Sequence, residues 1–70
     1  MSEFENKYHF IEKEVRWLCM VINEEVIDVY YSSKDDNEWA TIRFADGSDK
    51  KISVAGKNLK EIALSVIKEI

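Results

Sequence analysis

Proline is absent from the 70 residues, glycine occurs twice and cysteine once. The chain therefore has no Pro-rich or Gly-rich linker and no collagen-like repeat, and its isolated glycines, Gly47 and Gly56, cannot form a phosphate cradle. A lone cysteine makes no internal disulfide, so the fold stands without a covalent staple. The compartment expected for it is a reducing one, the cytoplasm. No apolar run approaches the ~20 residues of a membrane span. The opening residues Ser2, Glu3, Phe4 and Glu5 are acidic where a signal peptide is basic.

What remains is globular. With 46% hydrophobic and 34% charged residues, the chain has enough apolar surface to collapse around a core, and its length suits a single compact domain over residues 1–70. Its net charge is −4, and the excess is uneven: residues 1–36 carry 4 basic and 9 acidic groups, residues 37–70 carry 6 and 5. Phosphate neutralisation dominates nucleic-acid affinity, so this sign argues against direct nucleic-acid binding. An acidic domain suits a basic protein surface, including one that itself binds nucleic acid.

Phe4, Tyr8, Ile11, Val15, Leu18 and Ile22 recur at spacings of four and three, predicting an amphipathic helix with Cys19 beside its apolar stripe. Ser2 and Glu5 fit a capping box. Lys7 is assigned to the wet face, and Glu3–Lys7 and Glu12–Arg16 are spaced as helical ion pairs. Residues 17–22 are continuously apolar and could also form a buried strand, but the unbroken stripe favours a helix ending near Asn23 and Glu24.

Residues 26–31 are β-branched and aromatic, a strand, and residues 32–37 read as a loop. Residues 39–45 alternate, Asp46–Gly47 marks a hairpin, and residues 50–54 form a third strand. A two-residue turn at the hairpin would set apolar side chains opposite polar ones. A three-residue loop (Ala45, Asp46, Gly47) pairs Phe44 with Ser48 and Ala40 with Ile52, and unites the apolar positions on one face. Asn58 and Glu61 make a second capping box, opening a helix whose stripe is Leu59, Ile62, Ala63, Val66, Ile67 and Ile70, with Leu64 off it.

The expected fold is α+β: helix, three-strand antiparallel meander, helix. Both helices cover one sheet face in a two-layer sandwich, floored by Ile27, Val29, Tyr31, Ala40, Ile42, Phe44, Ile52 and Val54.

Little here supports catalysis. His9 and Cys19 would lie about 15 Å apart along one helix, too far for proton transfer. Asp35, Asp36 and Glu38 lack the ligand alternation and turn glycine of a calcium loop, and one His with one Cys offers no soft-ligand cluster. No catalytic, metal or cofactor residue is assigned, and no enzyme is expected. The uncovered sheet face is more informative. It carries Asp28 and Tyr30 beside Trp39, Thr41 and Arg43, and Tyr, Trp and Arg are enriched at binding hot spots. The alternative is that Trp39 and Tyr30 cover each other across the strands. Trp17, Met20, Val21 and Leu64 fall off the main stripes, an apolar surplus that suggests a homodimer or partner interface.

The acidic helix from Ser2, the meander closed at Asp46–Gly47 and the terminal helix from Asn58 resemble, as a whole-chain layout, the small acidic inhibitors that phages encode, of the anti-CRISPR kind. That resemblance implies a non-enzymatic protein that covers a nucleic-acid-binding surface. Glu24, Glu25, Asp28, Asp35, Asp36 and Glu38 would be its contact set, with Trp39 and Tyr30 as anchors and Arg43 beside them. The second expectation, of another class, is a structural or regulatory homodimer built on the apolar helix surface.

Overall fold

The computed structural model describes the backbone of residues 3–70 and the side chains of residues 6–70. The Ser2–Glu5 capping box and the Glu3–Lys7 pair lie outside the described side chains. The described residues form an α+β fold. An unbroken helical stretch runs through α1 (Glu3–His9), a π-helical segment (Phe10–Val15) and α2 (Arg16–Ile22). The antiparallel strands β1 (Val26–Lys34), β2 (Asn37–Phe44) and β3 (Asp49–Ser53) follow in sheet order β1-β2-β3, and α3 (Leu59–Lys68) closes the chain. Residues 17–22 are helical, and the Asn23 N–H ends α2 by donating to the Cys19 carbonyl at 2.9 Å.

The π segment changes which side chains face inward. In an α-helix each residue advances about 100°, so positions four apart drift by about 40°. A π turn closes hydrogen bonds over five residues, as Arg16 N–H to Ile11 O does here, and its wider turn cancels that drift. Lys7, Ile11, Val15 and Cys19, each four apart, accordingly form the buried line. The expected stripe, whose first member Phe4 lies outside the described side chains, is corrected at four positions and half-filled at a fifth: Tyr8 and Ile22 are exposed, Lys7 and Cys19 are buried, and Leu18 is half-buried.

The sheet departs from expectation twice. Val26 pairs with Phe44 and Asp28 with Arg43, leaving Ile27 as the extra residue of a β-bulge. The bulge flips the parity, so Val26 enters the core and Ile27, expected inside, is 49% exposed. The loop expected over 32–37 is instead a continuation of the hairpin. Lys34 pairs with Asn37, and the chain turns on Asp35 and Asp36 alone. Asp35 takes a left-handed φ of 57°, which a short polar side chain tolerates better than most. Serines at 32 and 33 do not prevent backbone pairing.

The second hairpin has the expected three-residue loop. Ala40 pairs with Ile52, Phe44 N–H donates to Ser48 O at 2.9 Å, and Gly47 supplies the required positive φ of 92°. The α3 capping box is also present: Asn58 Oδ1 accepts from Glu61 N–H at 2.9 Å, and Glu61 Oε1 accepts from Asn58 N–H at 3.1 Å. One apolar cluster joins Ile11, Val15 and Cys19 from the first helical stretch, Val29, Tyr31, Ala40 and Ile42 from the sheet, Val54, and Ile62 and Val66 from α3.

The phase of α3 is testable. Ile62 is fully buried and Leu64 is 60% exposed. Ile62→Ala is expected to cost about 2–4 kcal/mol in urea unfolding, against less than about 0.5 kcal/mol for Leu64→Ala.

Candidate functional site

The most connected polar cluster sits at the core's rim. Lys7, only 4% exposed, places its Nζ 2.8 Å from Glu38 Oε1, while Tyr31 Oη donates to Glu38 Oε2 at 2.5 Å. Each partner has a positional cause. Lys7 begins the inward line that the π segment straightens, and Glu38 shares the inward parity of Ala40 and Ile42 on β2. Donation from Lys7 and Tyr31 holds the Glu38 carboxyl below its ordinary range. Burial, with the Glu38 carboxylate beside it, pushes the Tyr31 phenol up to about 12. Both groups move away from neutral pH, whereas a general acid or base works best near the operating pH. The cluster ties α1 to β1 and β2, and Glu38 faces inward to it.

The other expected contact residues are dispersed. Glu24 and Glu25 are exposed where α2 passes into β1, and Asp35 and Asp36 are exposed at the far turn. β1 separates the two pairs by roughly 25 Å at about 3.3 Å per residue. Asp28 lies between, accepting from Val29 N–H at 2.9 Å and pairing with Arg16 Nε at 3.2 Å. Arg43 pairs with Asp49 at 3.6 Å. Tyr30 and Trp39 are half-buried, and the register sets Tyr30 opposite Thr41 and Trp39 opposite Ser32, so the two rings are diagonal neighbours. Lys51 Nζ lies 4.2 Å from the centroid of the Trp39 ring, and Thr41 is 5% exposed among these side chains. This face is largely tiled by its own residues.

Cys19 is fully buried, and burial pushes its thiol pKa up, which leaves it unreactive. His9 is exposed on α1. Among the described residues no three His, Cys, Asp or Glu side chains come together as metal ligands, and no helix is long and apolar enough to cross a membrane.

The exposed large apolar side chains are concentrated on the helices. Trp17 is 65% exposed, Val21 62% and Leu64 60%, and Met20 is also exposed. A cleft of about 150 Å³ lined by Phe10, Val15, Trp17, Leu18 and Ala63, with Glu14, connects the first helical stretch to α3. Comparison with protein families, curated proteins and solved structures finds no match to this chain.

The Glu38 cluster makes stability depend on pH at both extremes. The lowered Glu38 carboxyl contributes stability that is full above its unfolded value and is lost as pH falls through the folded one. The raised Tyr31 phenol contributes below about 10 and loses its contribution as pH rises towards about 12. Urea midpoints measured across pH should show an acid slope that Glu38→Gln flattens and an alkaline slope that Tyr31→Phe flattens.

Proposed function

We propose that the protein is a non-enzymatic interaction module whose two helices share one face of the sheet in a two-layer sandwich. Its principal contact surface is their outer apolar flank, and a second copy of the chain is the occupant. The shared core supports the first part, since Ile11, Val15 and Cys19 meet Ile62 and Val66 over Val29, Tyr31, Ala40 and Ile42. The single observation that carries the second is the exposure of Trp17, which lines the cleft between the helices, together with Val21 and Leu64 on those same helices. A small soluble domain rarely leaves a Trp and two large aliphatic side chains wet together without covering them. Self-association fits because an apolar strip is complementary to its own copy under a two-fold axis, without any charge match. The rim cluster adds support to the non-enzymatic reading, since its groups are tuned away from proton transfer at neutral pH.

Light scattering after size exclusion is expected to give a dimer at micromolar concentration. Trp17→Glu should yield a folded monomer, because the site is exposed and the change costs the core nothing. A wild-type protein that stays monomeric up to ~1 mM would remove this reading.

A second form of the reading keeps the inhibitor-like role. Asp35 and Asp36 form the exposed tip of a hairpin and carry no ion pair among the described residues, so this end can present paired carboxylates to a basic protein. Asp35→Lys/Asp36→Lys would then leave the oligomeric state intact and weaken capture of the basic partner roughly tenfold or more. Unchanged capture by that variant would end the acidic-contact form and leave the dimer untouched.

A further inference from the structure

The two edges of the sheet are finished differently. In β1 the two-residue turn makes Lys34 and Asn37 a hydrogen-bonded pair, so ladder alternation points the amides of Val29 and Tyr31 away from β2. The two outward amides in the middle of the strand are taken by carboxylates: Val29 N–H donates to Asp28 Oδ1 at 2.9 Å, and Tyr31 N–H donates to Glu12 Oε2 at 3.0 Å from the π segment, while that of Ser33 lies at the exposed turn end. The centre of that edge is capped in the way natural sheets block strand addition.

On β3 the bonds Phe44 N–H to Ser48 O and Val54 N–H to Glu38 O, both 2.9 Å, assign the even-numbered residues to the ladder with β2. Asp49, Lys51 and Ser53 therefore turn their amides and carbonyls outward. All three are exposed, and no described side chain caps those amides. Beside this open edge is a groove of about 340 Å³ lined by Lys51, Ile52, Lys57, Ser65, Lys68 and Glu69. Lys57, whose Nζ donates to Ser65 Oγ at 2.9 Å, and Lys68 stand there with one carboxylate, Glu69, which itself pairs with Lys50 at 3.7 Å, while Lys51 Nζ lies over the Trp39 ring.

We propose that the β3 edge accepts an extended acidic peptide segment as a fourth strand. Its backbone bonds to Lys51 and Ser53, and its carboxylates reach Lys57 and Lys68 on one side and Lys51 on the other. Strand addition takes affinity from the main chain and specificity from alternate side chains, and this groove supplies both. The occupant is not a second β3, because pairing two such edges antiparallel about their centre sets Lys51 against its own copy, a like-charge contact across the strands. The site is independent of the apolar helix flank.

The test is an NMR titration of the full chain, run on the wild type and on Trp17→Glu so that self-association does not enter. The probe is a capped synthetic hexapeptide of alternating Glu and Val, and its control replaces Glu by Lys. The acidic peptide should shift and slow the exchange of the Lys51 and Ser53 amides while leaving Val29 and Tyr31 unchanged, and the basic peptide should do neither. Raising salt from ~50 to ~500 mM should weaken binding. Lys57→Glu/Lys68→Glu should weaken it roughly tenfold or more. Ser53→Pro, which removes one outward donor at constant charge, should also weaken it; spectra of each free variant report whether the fold is kept. Equal response to both peptides, shifts centred on β1, or no response up to ~1 mM would overturn the proposal.

Discussion

Everything in this protein depends on one apolar core that joins the π segment, α2, the sheet and α3. A chain of this length buries only about 60% of its unfolded surface and has no disulfide to restrict its unfolded state, so no second core can substitute for the first. The requirement reaches into the backbone. Ile11, Val15 and Cys19 can meet the sheet together only because a π-helical turn removes the drift between positions four apart, and Val26 joins them only through the bulge at Ile27. Irregularities that would weaken an isolated helix or strand are here the means by which the core closes.

The same line brings a lysine inward. Lys7 occupies the first place in the series and cannot be left buried and unpaired, since an uncompensated charge out of water is costly. Glu38 answers it from β2, and Tyr31 fills the second carboxylate oxygen. The cluster ties the first helix to two strands through directional contacts that apolar packing lacks. It also removes Glu38 from the acidic surface that the sequence alone would assign to it.

How far the residues reveal this depends on whether the deciding signal is local. The α3 capping box and the Ala40–Ile52 register were legible, because Asn58–Glu61 chemistry and strand parity act within a few residues of each other. The helical character of residues 17–22 was legible from the stripe. The π segment, the bulge and the two-residue turn at Asp35–Asp36 were not, because each is settled by what the neighbouring element needs. A one-residue insertion in a ladder leaves no mark in a β-rich run such as residues 26–31. Of the expected contact residues, their exposure or partial burial could be read except at Glu38. Their separation along β1 could not, because it follows from the strand being nine residues long where six were expected.

The uneven charge distribution acquires a structural meaning from these contacts. Glu12 and Asp28, from the acidic half, are spent on the outward amides of β1, and Asp28 also pairs with Arg16 of the same half. Lys51, Lys57 and Lys68, from the basic half, gather beside the edge that no side chain caps. Both edges carry the same backbone groups and the same hazard of unwanted pairing. One is capped at its centre by hydrogen bonding and the other is guarded only by charge, and a charge guard is selective by nature: it repels a like edge and admits an opposite one. A net charge of −4 read as a single number conceals this, because the property that distinguishes the two edges is where each sign falls along the fold.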